Sequence, residues 1–475
     1  SETPPVTASA PLSIVISPGG GGNPGALSGN YAFYLNGFTS SGAWTLAGSF
    51  ISDGNSHITS GVVDGNSVTG QPFNATVSGT YWIAANGLNT ITIQGQSFGP
   101  ATFAFVLDSS ANGRIIRYDD TTGQGSRGSG VLRKQDPNAF SLSRFTGPYV
   151  YGMTGIDPSG PGGLTRAVIV GQFTLSAGNF NGACDINDGG QFSTCTFTGT
   201  MSAIDPQTGR TLVQSRDQSG GVSHTAMYVV SASEAVIVAI DPAQSGGIEW
   251  AGSVLQQSGT FNNGSLNGLS VFYGQDIRFD SGSPVDESQA VIISFDGNGN
   301  WNITASDDDL GGTITQGQPE QGTYTVQSNG AITLSQTGHH GLDGFLVSQN
   351  RFMTVDSGSK AGLEIFEPQT GGPFSNASIA GTYAGGSLVP LDYANARNEV
   401  DVGSADGAGN LTTNTDGSSH KGLGQTLGQI HNYTIAANGR GTSSDNPPVV
   451  FYVISPSKWL VLLTDTDAAV LVFEH

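Results

Sequence analysis

Apolar and polar residues alternate along this chain with a period near two. Tyr31-Ala32-Phe33-Tyr34-Leu35 shows it, as do Thr45 to Phe50, Thr90 to Ile93, Thr102 to Leu107 and Arg114 to Tyr118. That is the period of a strand with one buried face. Asp-Gly, Asn-Gly and Ser-Gly pairs separate the runs, which is hairpin chemistry because Gly and Asn accept positive φ. No window of a dozen residues carries an i, i+3, i+4 apolar stripe. Ser231-x-x-Glu234 imitates a helix capping box. It leads into the β-branched run Ala235-Val236-Ile237-Val238, so the pattern predicts a turn there.

The alternation is organised in four copies. A Phe followed seven residues later by Gly recurs as Phe140/Gly147, Phe261/Gly268 and Phe374/Gly381, with a truncated first copy at Leu27-Ser28-Gly29-Asn30-Tyr31. The anchors Gly29, Gly147, Gly268 and Gly381 are 118, 121 and 113 residues apart. A turn phrase recurs as Asp53-Gly54-Asn55, Ala177-Gly178-Asn179, Asp296-Gly297-Asn298 and Asp406-Gly407-Ala408. An Asp lies 10 or 11 residues beyond each: Asp64, Asp188, Asp307 and Asp416. A third phrase reads Gly79-Thr80-Tyr81, Gly199-Thr200-Met201, Gly322-Thr323-Tyr324 and His431-Asn432-Tyr433. Agreement of separate spacings across the copies is the signature of a repeat. The expected fold is all-β: a tandem array of four similar antiparallel units, about eight strands each, closed as barrels or stacked as sandwiches. The units are expected at 27–136, 137–258, 259–371 and 372–475, each folding nearly by itself.

Residues 1–26 precede the repeat. Ser1 to Ala10 is rich in Pro and Thr and reads as extended, and Pro18 to Gly25 reads as a flexible joint. Between them Leu12-Ser13-Ile14-Val15-Ile16-Ser17 alternates, with Leu12, Ile14 and Ile16 on one face. Such a ribbon can pair with a neighbouring subunit by strand donation. It can also pack on its own first unit or serve as a stalk beneath a lipid anchor. Fully extended, the arm reaches roughly 85 Å. A closed barrel offers no edge to a donor, so pairing between copies requires an open seam in some unit or a groove between units that binds the apolar face. The apolar strand Val470-Leu471-Val472-Phe473 is a second candidate contact.

Composition narrows the partners. Lys plus Arg is 16 against 37 Asp plus Glu, a net charge of −21, which repels the phosphates of nucleic acid. No apolar run approaches the roughly 20 residues of a transmembrane helix. The aromatic content of 9% and the low charge content of 11% do not fit a disordered chain. The spacing of Cys184 and Cys195 suits a loop-closing disulfide worth roughly 3 kcal/mol, with two free thiols the alternative. No four-ligand zinc spacing is present. The sequence starts at Ser1, consistent with removal of a leader, and only four Lys occur; both suit a secreted or cell-surface protein. Sequons at Asn74, Asn263, Asn302, Asn376, Asn410 and Asn432 leave glycosylation open.

Gly29-Asn30-Tyr31-Ala32-Phe33, followed by Ala47-Gly48-Ser49-Phe50-Ile51-Ser52-Asp53-Gly54-Asn55, resembles a phrase of Gly-rich secreted repeat proteins of acidobacterial type. Their function is undefined, so the resemblance implies a secreted β repeat and no reaction. The opening Leu27-x-Gly29-x-Tyr31 also resembles the first strand of avidin- and lipocalin-like barrels. That likeness covers one strand per unit and transfers no ligand.

Catalytic patterns are weak. Gly95-Gln96-Ser97-Phe98-Gly99 matches a nucleophile elbow but sits between two strand patterns with no helix after it. His339-His340 with Asp343 has no third ligand at a recognisable spacing. Asp307-Asp308-Asp309 and Asp185-x-Asn187-Asp188 offer oxygen ligands for calcium without the full loop motif; no other cofactor is expected. Glu249, Glu320 and Glu364 carry no shared motif, so no acid pair for glycoside hydrolysis is assigned. Trp44, Trp82, Trp250, Trp301 and Trp459 suit barrel cores or sugar stacking. The reading that follows is a non-enzymatic extracellular structural subunit that self-assembles through its arm and end units. A carbohydrate-binding adhesin of the cell surface is the alternative. The third reading is a glycan hydrolase on a β scaffold, with the divergent second copy as the place to look.

Overall fold

The structure, a computed structural model, describes residues 22–160, 163–243, 246–280, 283–338, 340–392, 397–464 and 469–475. The candidate donor segment Leu12–Ser17 lies outside the described residues. Four antiparallel barrels follow one another at 28–134, 147–256, 267–368 and 381–474, here barrels 1 to 4. Among the described residues there is no α-helix, only short 3-10 turns such as Pro137–Ala139 and Asn263–Ser265 between barrels. In barrels 1, 2 and 4, eight strands pair in sequence order and the eighth closes on the first. Barrel 3 closes the same way with two interrupted strands. Its fourth strand is split into Thr313–Gln316 and Gln321–Val326, and its last into Lys360–Gly362 and Glu364–Pro368. The units are therefore barrels and not sandwiches.

The repeated phrases have local causes. Gly29, Gly147, Gly268 and Gly381 open the first strands at φ of 89°, 106°, 105° and 134°, where a side chain is strained. The turn Asp accepts backbone amides across its hairpin: Asp296 takes those of Asn298 and Asn300 at 2.8 and 2.9 Å. These bonds hold its carboxyl down at about 2, led by the side-chain amide of Asn300. The tyrosine of the third phrase locks the lead-in segment over one end of its barrel. Tyr81 donates to the Leu27 carbonyl at 2.9 Å and Tyr324 to that of Leu266 at 2.9 Å; Tyr433 donates to that of Asn376 at 3.2 Å. Barrel 2 has Met201 there and no such latch.

Many strands bury both faces. In the first strand of barrel 1, Tyr31, Phe33 and Leu35 fill the interior, while Ala32 packs outward. The outward apolar residues join neighbouring barrels. Ala32, Ala47 and Val131 of barrel 1 meet Tyr228, Val236 and Val238 of barrel 2. Val150, Val168 and Val170 of barrel 2 meet Phe345, Met353 and Val355 of barrel 3. Val271 and Ile292 of barrel 3 meet Tyr452, Leu460 and Val472 of barrel 4. Ala384 and Val400 of barrel 4 return to Ala104, Val106 and Ile116 of barrel 1. The four barrels thus close into a ring in which each shares two apolar interfaces.

Connecting glutamines fix the succession. Gln135, Gln257 and Gln369 each follow a last strand and donate to two carbonyls of the next barrel. The acceptors are Thr208 and Val229, Asn329 and Leu346, and Asn438 and Val453, at 2.7–3.0 Å. The segment Val470–Glu474 is the closing strand of barrel 4, paired on one side with Gly381–Ser387 and on the other with Lys458–Leu462. Val470, Leu471, Val472 and Phe473 are all buried. As a candidate contact strand it is corrected: its backbone and both faces are committed within the chain.

Candidate functional site

At the centre of the ring, equivalent positions of the four last strands converge: Arg133, Leu255, Glu367 and Glu474. They surround a space of about 510 Å³. Cations that are scarce elsewhere collect here. Arg133 pairs with Glu234 at 3.1 Å, joining barrels 1 and 2. Lys458 pairs with Glu367 at 2.7 Å, joining barrels 4 and 3, and with Glu474 at 2.8 Å. Arg114 of barrel 1 lies 3.7 Å from Glu474 of barrel 4. Burial raises the Glu474 carboxyl, but Lys458, Arg114 and Arg133 together hold it well below the carboxylate range. The equivalent position in barrel 2 is the uncharged Leu255.

The repeated aspartate is a joint residue. Asp64 of barrel 1 takes a bidentate pair from Arg210 of barrel 2 at 2.7 and 2.8 Å, and the Tyr228 hydroxyl at 2.5 Å. Asp307 of barrel 3 takes Arg440 of barrel 4 at 2.6 and 2.7 Å, and the Tyr452 hydroxyl at 2.5 Å. Both carboxyls are buried. Barrel 2 offers Asp185 to barrel 3 at the matching place, identified by the amide two residues on. Asn187 donates to the Asp356 and Gly358 carbonyls as Asn66 does to those of Ala239 and Asp241. Ala331 and Phe345 stand where Arg210 and Tyr228 do, paired across the same two strands. Burial, and secondarily the charge of Asp343, pushes the Asp185 carboxyl up to about 7. Asp188, the residue the spacing singled out, instead takes the Thr165 hydroxyl at 2.8 Å. Asp416 accepts from Gln425 at 2.8 Å and from Tyr118 of barrel 1 at 3.3 Å.

One barrel carries a long open edge. In barrel 4 the fourth strand, Gly422–Ile435, pairs with Asn410–Ser419 along one side. On the other side it meets Arg440–Ser443 only through Tyr433, Thr434 and Ile435. From Gln425 to His431 that side has no strand partner among the described residues. Residues 424–430 are exposed on both faces, with Leu427 45% and Ile430 60% exposed. The matching strand of barrel 2, Gln191–Met201, pairs with its successor from Phe197 onward, leaving a shorter edge. An exposed strand edge bearing apolar side chains is a template for another chain.

Barrel 2 holds an apolar cavity of about 580 Å³, lined by Met153, Met201, Met227, Phe173, Phe197 and Trp250 among others. Cys184 and Cys195 form a disulfide in its wall, directly opposite each other in the hairpin 179–201 with Cα atoms 5.0 Å apart. At one end the wall turns polar. Ser215 and Ser223 hydroxyls lie 2.6 Å apart, and His224 Nδ1 lies 2.8 Å from Asp241.

The other sequence candidates do not converge. Ser97 sits in the tight turn between Asn89–Gly95 and Phe98–Leu107, so no strand-to-helix elbow forms. His339 lies outside the described residues, and Asp343 accepts the Thr333 hydroxyl at 2.6 Å. Glu249, Glu320 and Glu364 belong to different barrels or walls. Glu249 is fully buried with neither carboxyl oxygen bonded among the described residues, and burial pushes it up to about 8. Of the calcium candidates, Asp307 is taken by Arg440; among the described residues no three metal-ligating side chains cluster. Trp44, Trp301 and Trp459 pack in cores, Trp250 lines the cavity, and Trp82 is 43% exposed. Sequence reasoning missed Arg210, Arg440 and the three connecting glutamines. The glutamines were readable, four or five residues before each repeated Phe.

No protein-family model matches the chain, and no curated protein matches it. Among solved structures it is similar to a mutant of the vaccine antigen transferrin binding protein B from Haemophilus parasuis Hp5, with 9% identity over 98% of each chain. The TM-score is 0.18, too low to imply a shared arrangement.

Proposed function

We propose that this protein is a non-enzymatic extracellular structural subunit that polymerises by strand donation, its N-terminal segment Leu12–Ser17 pairing with barrel 4 of the next copy. The observation that carries this reading is the edge from Gln425 to His431, which has no strand partner among the described residues and on which Leu427 and Ile430 are exposed. Barrel 4 closes at that joint only through Tyr433, Thr434 and Ile435, which supports an acceptor edge beside it. Donor and acceptor differ, so the contact is head-to-tail, and such contacts build filaments when the rotation does not close. Main-chain bonds along an edge supply affinity and alternate apolar side chains supply register. The shared interfaces make each chain a single block suited to bearing load. The disulfide fits an oxidising compartment.

Electron microscopy of the purified protein tests this, together with a variant lacking residues 1–17 and the double substitution Leu427→Asp/Ile430→Asp. The expected result is filaments for the full chain and monomers for both variants. A synthetic peptide of residues 1–21 should bind the truncated chain and not the double variant. Filaments that persist unchanged without the arm would refute strand donation.

A further inference from the structure

We propose that barrel 2 is a binding site for a neutral apolar small molecule bearing a hydroxyl head, a long-chain alcohol being the simplest member of the class. The barrels share a scaffold but not a filling. In barrel 4, Trp459 and Phe473 stack 4.0 Å apart on adjacent strands, and in barrel 3 Phe352 and Phe366 stack at the same distance on adjacent strands, both pairs filling their cores. Barrels 1, 3 and 4 also carry the latch tyrosines Tyr81, Tyr324 and Tyr433, whose place Met201 takes in barrel 2. Three of the four methionines in the chain, Met153, Met201 and Met227, line this cavity. Methionine is flexible and polarisable and adapts to irregular guests. At about 580 Å³ the cavity falls within the usual range for small-molecule sites, roughly 300–1,000 Å³.

The wall chooses the guest. Neither Lys nor Arg is among the lining residues, while Asp217 and Asp241 stand at the polar end with His224, Ser215 and Ser223. A fatty-acid carboxylate would find two like charges and no cation, whereas a hydroxyl finds donors and acceptors. The barrel is closed by eight paired strands, so an inserted peptide strand would bury backbone groups without partners. A guest without a peptide backbone avoids that cost. The site is independent of the polymerisation proposed above, since barrel 2 carries neither the donor segment nor the barrel 4 edge.

The methionines supply the assay. Full-length protein labelled with 13C at the methionine methyls is titrated with dodecan-1-ol and, separately, with dodecanoate. The expected result is saturable one-to-one shifts of Met153, Met201 and Met227, with Met353, which packs between barrels 2 and 3, unmoved. Dodecanoate should bind about tenfold more weakly or worse. The cavity-filling substitutions Met227→Trp and Val213→Trp, each checked for folding by thermal melting, should abolish the shifts. The proposal is overturned if the alcohol produces no saturable shift in the unsubstituted protein or if Met353 moves equally. It is also overturned if dodecanoate binds as well, if binding survives in a folded cavity-filled variant, or if the peptide of residues 1–21 shifts the same methyls.

Discussion

The joint between barrels 1 and 2 and the joint between barrels 3 and 4 are built alike, and the joint between barrels 2 and 3 is not. The first two each hold a buried carboxylate against an arginine fork and a tyrosine hydroxyl, and each adds an ion pair at the central axis. The third has Ala331 and Phe345 in place of arginine and tyrosine, and Leu255 at the axis. It keeps the carboxylate, Asp185, facing Asp343. The ring is therefore two similar halves, 1–2 and 3–4, which meet at the 2–3 joint without an arginine fork and at the 4–1 joint, where Arg114 lies 3.7 Å from Glu474. A buried charge is stabilising only with its partner in place; the same aspartate without its arginine is a liability above its raised pKa.

The largest effect should come from breaking a charged joint. Asp64→Ala leaves Arg210 and the buried Tyr228 hydroxyl without their acceptor and should cost about 3–5 kcal/mol, read from urea unfolding. Loss of less than about 1 kcal/mol would show the joint to be decorative. Asp185 tests the contrasting seam. Its carboxyl is raised from 3.8 to about 7 in the folded chain, so folded protein holds a proton that unfolded chain releases across that window. Stability should fall as pH rises from about 4 to 7, and Asp185→Asn should recover on the order of 2 kcal/mol above pH 7 while flattening the profile. An unchanged pH profile in that variant would remove the argument. Gln257→Ala deletes two bonds that seat barrel 3 on the end of barrel 2 and should cost about 1–2 kcal/mol in the same unfolding measurement. The smallest expected change is the most specific. Ala331→Arg with Phe345→Tyr rebuilds the missing device. It should alter stability by no more than about 1 kcal/mol at pH 5, yet abolish the pH dependence between about 4 and 7 by pairing Asp185.

Much of the fold could be read from the chain because its causes are local. The anchor glycines sit at positive φ, the turn aspartates bond amides two and four residues on, and alternation runs with the pleat. Eight strands per unit, the four copies and the candidate cysteine pair follow from such short-range rules. The ring does not, because each contact that closes it joins distant residues. Asp64 stood out by its spacing, but its partner Arg210 is 146 positions away and belongs to no phrase of the repeat. The barrel 2 cavity was half legible. Met201 breaks a row of tyrosines, but only the latch bonds of Tyr81, Tyr324 and Tyr433 reveal what the break removes. The open edge of barrel 4 was hidden because Gly422–Ile435 reads like any other strand; what sets it apart is that its successor, Arg440–Ser443, is only four residues long.

A cryo-electron microscopy reconstruction of the assembled protein, at a resolution that separates strands, addresses the assembly directly. An added strand should lie antiparallel or parallel along Gln425 to His431, with side-chain density matching Leu12, Ile14 and Ile16 and continuous with barrel 1 of an adjacent copy. Density for that segment folded against its own barrel 1, with the barrel 4 edge bare in the assembly, would contradict strand donation.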